Sequence, residues 1–132
     1  MKTHPSASLR PVPPAWAWHH RALLRLRRQL LAAHATHHEE ASAAADLHGV
    51  DASEVAHDQT EHAEILAEMH AEEDRLGEIE DALARIQAGT YGTCEVTGQP
   101  IGAARLRAMP WTRTSLTAAE RREREARMAR GG

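Results

Sequence analysis

Residues 89–111 read GTYGTCEVTGQPIGAARLRAMPW, and this stretch separates a long proline-free region from a short C-terminal segment. Its glycines and prolines predict a series of tight turns rather than a helix or a strand. Cys94 is the only cysteine of the chain, and Thr97 stands where a second metal-binding cysteine would be expected. A single cysteine also excludes an internal disulfide. Other contacts must therefore stabilise these turns.

Two apolar stripes with helical spacing precede the turns. Residues 15–47 contain neither proline nor glycine, and a second, longer stripe follows and ends near Gly89. Two long helices joined by a short turn should fold back on each other as an antiparallel coiled coil. The stripe positions are Leu23, Leu26, Leu30, Ala33 and His37 in the first helix, and His62, Ile65, Met69, Glu72, Leu76, Ile79, Leu83 and Ile86 in the second.

These signals predict an all-α protein built in three parts. Residues 1–14 are rich in proline and serine, and we expect them to be disordered. Residues 15–88 should form the helical hairpin, with its tip near residues 48–56. Residues 89–132 should form a small globular region that ends in a short helix.

The helix ends carry recognisable capping signals. Asp51 and Glu54 have capping-box spacing, which predicts the start of the second helix. Gly89 predicts its C-terminal end, because glycine readily takes the backbone conformation that closes a helix. Thr117 and Glu120 repeat the capping-box spacing and predict the start of the C-terminal helix.

Charge is distributed unevenly along the chain. Residues 1–38 carry six basic side chains and no acid, residues 39–81 carry fifteen acids and one arginine, and residues 82–132 carry nine bases and four acids. An acidic middle of this strength argues against sequence-specific nucleic-acid binding. The chain has no apolar run long enough to span a membrane, and no nucleophile, acid–base pair or phosphate loop indicates an enzyme.

The string G-T-Y-G-x-C-E-x-x-G-x-P-I-G-x-x-R-L, placed after a long helical hairpin, resembles the DksA/TraR family. The resemblance covers about residues 15–130. It implies a cytoplasmic, monomeric regulator that binds RNA polymerase and has no cofactor of its own. It also implies that the coiled coil enters the secondary channel of the polymerase and alters transcription initiation.

The family's zinc ligands are cysteines spaced C-x2-C-x17-C-x2-C. Counted from Cys94, this spacing falls on Thr97, Ser115 and Ala118. Tetrahedral zinc needs four ligands, which are mostly thiolates in such sites. The resemblance therefore implies a degenerate, metal-free finger. We expect an apolar cluster to replace the metal, formed by Val96, Ile101, Leu106, Met109, Trp111 and Leu116.

The resemblance also assigns the tip of the hairpin. The family's tip motif corresponds to Asp51, Glu54 and Ala56, and Asp51 precedes Cys94 by 43 positions, as in the family. The second acid of the motif is usually aspartate, so Glu54 is a departure. Arg105 matches a family arginine that serves the globular region or the contact with polymerase.

A third set of family positions binds guanosine tetraphosphate together with polymerase. The corresponding residues here are Glu78, Met109 and Ala119, and none of them can pair with phosphate. We therefore expect no response to this alarmone through that site.

Two alternative functions stay open at this point. All ten histidines precede residue 71, and His34 and His38 have metal-ligand spacing on one helix. A hairpin turn near Gly49 would also place His37 opposite His62. These features suggest a metal-binding or metal-sensing helical protein as one alternative. A helical adaptor for another partner is the second.

Overall fold

The computed structural model describes residues 10–45 and 52–131, and it describes side chains for residues 10–43 and 59–131. Four α-helices follow a short 3₁₀ turn at Pro14–Trp16. They are α1 (Ala17–Ala45), α2 (Ala52–Ala88), α3 (Ala103–Ala108) and α4 (Leu116–Ala129). No strand occurs in these two ranges, although one isolated antiparallel bridge joins Thr93 and Pro100. The predicted all-α fold is confirmed.

The chain divides into two compact units. The globular unit lies within Met1–Leu24 and Glu78–Gly132, and the hairpin unit is Arg25–Gly77. The sequence predicted a boundary at residue 88, after the second helix. The boundary differs because the first turns of α1 and the last turns of α2 pack with the segment that follows them.

In the hairpin unit, α1 and α2 run antiparallel. His34 contacts Glu73, whereas His37, one turn later on α1, contacts Glu72 and Glu68, which come earlier on α2. The predicted pairing of His37 with His62 is therefore wrong. The observed partners lie six and ten residues beyond His62 on α2, so the register between the two helices differs from the predicted one.

The predicted stripes face inward on both helices. Every stripe residue is buried or half-buried, and Leu23 and Ile79 are fully buried. Within the hairpin unit the core is thin, since Ala41 and Met69 are its only buried apolar side chains among those described. In a hairpin of two helices, each helix buries only one face against the other. Polar contacts between the helices therefore contribute to holding them together.

The globular unit has a denser core. Alanine at positions 22 and 82 leaves room for close helix approach, and both alanines are buried. The other core side chains come from α1 (Leu23), from α2 (Ile79 and Ile86) and from the segment after α2. The buried apolar residues of this unit are Ala22, Leu23, Ile79, Ala82, Ile86, Tyr91, Cys94, Ile101, Leu106 and Ala118.

The turns between α2 and α3 follow the glycines. Gly89 has a φ of 82° directly after α2, which confirms it as the cap of that helix. The three turn glycines also have positive φ, as expected: Gly92, Gly98 and Gly102. The backbone between them closes on itself, because the Cys94 amide donates to the Gln99 carbonyl and the Ile101 amide donates to the Gly92 carbonyl, each at 2.8 Å.

Two details differ from the sequence-based expectations. α3 was not expected. The cap of α4 is Ser115 rather than Thr117, and its hydroxyl accepts a hydrogen bond from the Ala118 amide at 3.2 Å.

The disorder expected for residues 1–14 stays a prediction. Residues 1–9 lie outside the described residues, and the described residues 10–14 contact α2 through Arg10. There the Arg10 amide and carbonyl bond the side-chain amide of Gln87, at 2.8 and 3.1 Å.

Candidate functional site

Cys94 sits at the centre of the turn region and is only 1% exposed. Burial opposes ionisation of its thiol, but hydrogen bonds from the Thr97 hydroxyl and from the amides of Ser115, Thr97 and Val96 outweigh it. Together they lower the pKa of the Cys94 thiol to about 6. We call Cys94 and these three donor residues the thiol cradle. The structure therefore brings together three of the four positions that the zinc spacing singled out.

The fourth position is linked to the cradle through Ser115. The Ser115 amide bonds the sulfur, while its hydroxyl accepts from the Ala118 amide at the start of α4. Ala118 itself is buried, with 1% of its surface exposed. The Thr97 hydroxyl also accepts a hydrogen bond from the Gln99 amide, at 3.2 Å. Each of these positions thus has a partner within the protein.

The donor set does not fit zinc. Cys94 offers one thiolate, Thr97 and Ser115 offer hydroxyls that already accept backbone hydrogen bonds, and Ala118 offers a methyl group. Tetrahedral zinc sites use thiolates, imidazoles or carboxylates. We therefore assign no metal role to this site.

The described part of the chain also contains no cluster of metal-binding side chains elsewhere. No three or more histidine, cysteine, aspartate or glutamate side chains within it come together in a suitable arrangement. His34 and His37 instead contact glutamates of α2. The described residues give no support to the metal-sensing alternative.

Arg105 braces the loop that precedes α4. Its Nε atom donates to the Thr114 carbonyl at 2.7 Å, and its guanidinium also reaches the Thr112 hydroxyl at 3.4 Å. Thr112 and Thr114 are both buried. Of the two roles expected for Arg105, these contacts support the one within the globular region.

Arg113 anchors the same loop to α2. Its guanidinium contacts Glu78 and Asp81 of α2 and lies 3.8 Å from a carboxylate oxygen of Glu95. The Arg113 carbonyl also accepts a hydrogen bond from the Glu95 amide at 2.9 Å. Hydrogen bonds to Glu78 and Asp81 raise the pKa of Arg113. Glu78 therefore has a structural partner at the position where the family resemblance implies a phosphate-binding base.

The other two expected alarmone positions are equally unsuited to an anion. Met109 lines an open, largely apolar depression of about 540 Å³. Ala119 is half-buried on α4. The depression is bordered by Ile101, Gly102, Ala103, Ala104, Arg105, Ala108, Met109 and Leu116.

An aromatic cluster supports the turns from the side of α1. His19 is buried and contacts the rings of Trp16, Trp18 and Tyr91 edge to face, with centroids 5.0 to 5.8 Å apart. The Tyr91 hydroxyl donates to the Pro110 carbonyl at 2.7 Å, and burial raises the Tyr91 pKa to about 12. This cluster was not predicted from the sequence, although Trp16, Trp18 and His19 stand close together in it.

The tip residues are only partly covered by the structure. Asp51 lies outside the described residues. Glu54 and Ala56 belong to α2, but their side chains are outside the described set. Their assignment to the tip motif stays a prediction. None of the helices in the described ranges combines the length and the apolar character that a bilayer crossing demands.

Comparisons with known proteins agree with this architecture. The profile of the prokaryotic DksA/TraR C4-type zinc finger matches residues 89–124. The RNA polymerase-binding transcription factor DksA of Caulobacter vibrioides is 40% identical over 80 residues, which are 61% of this chain and 56% of that protein. General stress protein 16O of Bacillus subtilis is 46% identical over 43 residues, covering 33% and 26% of the two chains. The chain thus spans little more than half the length of its curated DksA relative.

A solved structure extends the similarity to the helices. Transcription factor DksA2 from Pseudomonas aeruginosa superposes with a TM-score of 0.74 at 29% identity, covering 87% of this chain and 93% of that one. The profile accounts for the turn region, and the superposition accounts for the helical hairpin and the C-terminal helix. The turn region therefore matches the DksA/TraR zinc-finger family, and the helices share the fold of DksA2.

Proposed function

We propose that this protein binds RNA polymerase and regulates transcription initiation. The similarity to an RNA polymerase-binding transcription factor, DksA, carries the proposal. The likeness to DksA2 along most of both chains supports it, because it includes the helices as well as the turn region. The protein acts in this view by binding, not by catalysis, in the cytoplasm where polymerase works.

The proposed mechanism places the acidic tip in the secondary channel of polymerase. Asp51 and Glu54 are the tip acids of the family motif, at the family's distance from Cys94. In a narrow channel their charge is poorly screened and can change the stability of promoter complexes. The thiol cradle replaces zinc in holding the globular unit, and the Arg113 pairs replace an alarmone-binding surface.

Binding to purified core polymerase is the first test. The full chain, immobilised through a tag, should retain polymerase, and free chain added in excess should release it. A helical protein with similar charge but no relation to this family is the control. Failure to retain polymerase above that control, with a correctly folded chain, would exclude the proposed partner.

A second test separates the charge of the tip from its role as a helix cap. Asparagine caps a helix about as well as aspartate, whereas alanine costs about 1 kcal/mol. Asp51→Asn should therefore fold normally, still bind polymerase, and lose regulation at a responsive promoter. Asp74→Asn removes one exposed carboxylate elsewhere on α2 and should keep full activity. Full activity of Asp51→Asn would reject the charged-tip mechanism.

A further inference from the structure

A histidine of the hairpin unit lies between two glutamates. The Nε2 atom of His37 is 2.9 Å from Glu68 Oε2, and its Nδ1 atom is 2.8 Å from Glu72 Oε2. Glu68 and Glu72 are four residues apart, so they share one face of α2. The side chains of His37 and Glu72 are 22% and 12% exposed, which limits access of water to this contact.

This geometry favours the protonated imidazole. A neutral imidazole has one N–H donor and one acceptor nitrogen, whereas an ionised carboxylate can only accept. The contact with Glu72 is a hydrogen bond, and the contact with Glu68 is an ion pair that exists only when His37 carries both protons. Loss of one proton leaves a ring lone pair facing a carboxylate, which converts an attraction between α1 and α2 into a repulsion.

The surroundings of His37 favour the protonated form of its imidazole. A hydrogen bond to Glu72 raises the His37 pKa above its ordinary value of 6.5, burial opposes this rise, and the charges of Glu72, Glu68 and Glu40 add to it. Glu40 is on α1 with His37, and the two other glutamates face it from α2. The second oxygen of Glu72, Oε1, is buried without a hydrogen-bond partner, so Glu72 depends on His37 for its neutralisation.

A second pair one turn away repeats the arrangement. His34 Nε2 lies 2.9 Å from Glu73 Oε2, and the other oxygen of Glu73 lies 3.5 Å from His70 Nδ1. The hydrogen bond to His34 is the largest of the effects that lower the Glu73 pKa below its ordinary value of 4.5. Two cross-helix pairs therefore join α1 to α2 within the hairpin unit, in which few of the described apolar side chains are buried.

We propose that these two histidine–glutamate pairs form a pH-responsive clamp, in which protonated His37 holds α1 against α2, the contact of His34 with Glu73 adds to it, and loss of the His37 proton loosens the hairpin unit. The His37 contribution is fully present below pH 6.5 and is lost as the pH rises through the raised pKa of His37. The Glu73 contribution is present above pH 4.5 and is lost as the pH falls through its lowered pKa. The hairpin unit is thus held most tightly between these two values.

The clamp is a property of the chain alone and does not rest on the proposed polymerase partner. Amide hydrogen exchange of the purified full chain, in chelator-treated buffer, tests it. Protection of residues 30–40 and 66–76, corrected for intrinsic exchange rates, should be several-fold higher at pH 6 than at pH 8. Equal protection at the two pH values would overturn the proposal.

Two variants assign the effect to His37. His37→Gln should remove most of the difference in protection, because glutamine has no titrating group. His38→Gln replaces the neighbouring exposed histidine and should leave the difference intact. A difference that persists unchanged in His37→Gln would overturn the assignment.

An independent measurement covers the case in which a variant folds poorly. The imidazole resonances of His37 in the unmodified chain should titrate above pH 6.5, because its pKa is raised from that value. Titration of His37 at or below pH 6.5 would also overturn the proposal.

Discussion

The Nε atom of Arg113 lies 2.7 Å from the Oε1 atom of Glu78. Asp81 and Glu95 contact the same guanidinium, and the charge of Arg85 also interacts with these carboxylates, so three carboxylates share two cations. This patch of the globular unit therefore has an excess of negative charge. Such a surface repels polyphosphate anions.

The first prediction concerns the alarmone. If the proposed function holds, guanosine tetraphosphate should not enhance the effect of this protein on transcription through the joint site, because Glu78, Met109 and Ala119 supply no cation. The measurement is transcription in vitro with a polymerase that lacks its other alarmone site. Several-fold synergy under these conditions would contradict the prediction.

The second prediction concerns the stability that Arg113 contributes. Arg113→Ala should lower the free energy of unfolding by about 1 kcal/mol, because it removes three partly exposed ion pairs that are individually weak. Arg127→Ala removes one exposed pair with Glu123 on α4 and should cost no more than about 0.5 kcal/mol. Urea denaturation measures both. Equal losses would show that the three-carboxylate arrangement adds nothing.

The third prediction concerns the thiol cradle. Cys94→Ala should lower the free energy of unfolding by about 2 kcal/mol, because the amides of Val96, Thr97 and Ser115 lose their acceptor in a buried site. Chelator should leave the melting temperature of the parent protein unchanged. Cys94→Ser keeps a hydrogen-bond acceptor and should lower the free energy of unfolding by less than Cys94→Ala does. One tightly held zinc per chain in elemental analysis, retained after mutation of the histidines, would contradict this account.

The fourth prediction concerns pH and the globular unit. Burial, followed by the charge of Arg107, lowers the His19 pKa below its ordinary value of 6.5. The unfolded chain then binds the proton more readily, so stability is full above pH 6.5 and declines as the pH falls toward the lowered pKa. Amide protection near Ala22 and Leu23 should therefore fall between pH 7.5 and 5.5. His19→Phe, which keeps a ring among the aromatic neighbours, should abolish this decline.

The expected change in amide protection with pH near His19 has the opposite sign to the change expected in the hairpin unit. A single pH series read residue by residue should show residues 30–40 gaining protection on acidification while residues near His19 lose it. A uniform change across the chain would show that the two units respond together and would count against the assignment to His19.

The fifth prediction concerns Gly92. Its φ is 87°, and a Cβ atom added there would lie 2.8 Å from the Trp16 ring. Gly92→Ala therefore combines backbone strain of about 1–2 kcal/mol with a steric conflict. Gly98→Ala has a similar φ of 74° but open space around the Cβ, so it reports the backbone strain alone. A loss no greater in Gly92→Ala than in Gly98→Ala would mean that Trp16 moves aside freely.

Periodicity predicted the helices well because burial repeats along a helix. Leu23 and Ile79 occupy predicted stripe positions and are fully buried. The register between the two helices could not be predicted in the same way. His37 contacts Glu68 and Glu72 rather than His62, and a stripe of apolar positions on each helix does not determine the register between them.

The turn region was predicted only in outline. Ile101 and Leu106 are buried as expected, but Val96 is 39% exposed and Leu116 is 56% exposed. Composition identified the apolar residues that could form a cluster. It did not indicate which of their side chains point into the core and which point toward solvent. The polar interactions were the least predictable part, because the bracing roles of Arg105 and Arg113 depend on loop carbonyls and distant acids that meet only after folding.

The contact between Trp16 and Gly92 has a practical consequence for producing the protein. Trp16 and the Arg10 backbone hold the turn region and the end of α2 from a segment that precedes α1. Trimming the chain to the start of α1 at Ala17 would discard both supports while leaving every helix in place. A purification tag is better joined ahead of residue 10 with a spacer, and a trimmed chain should be more sensitive to proteases around Tyr91.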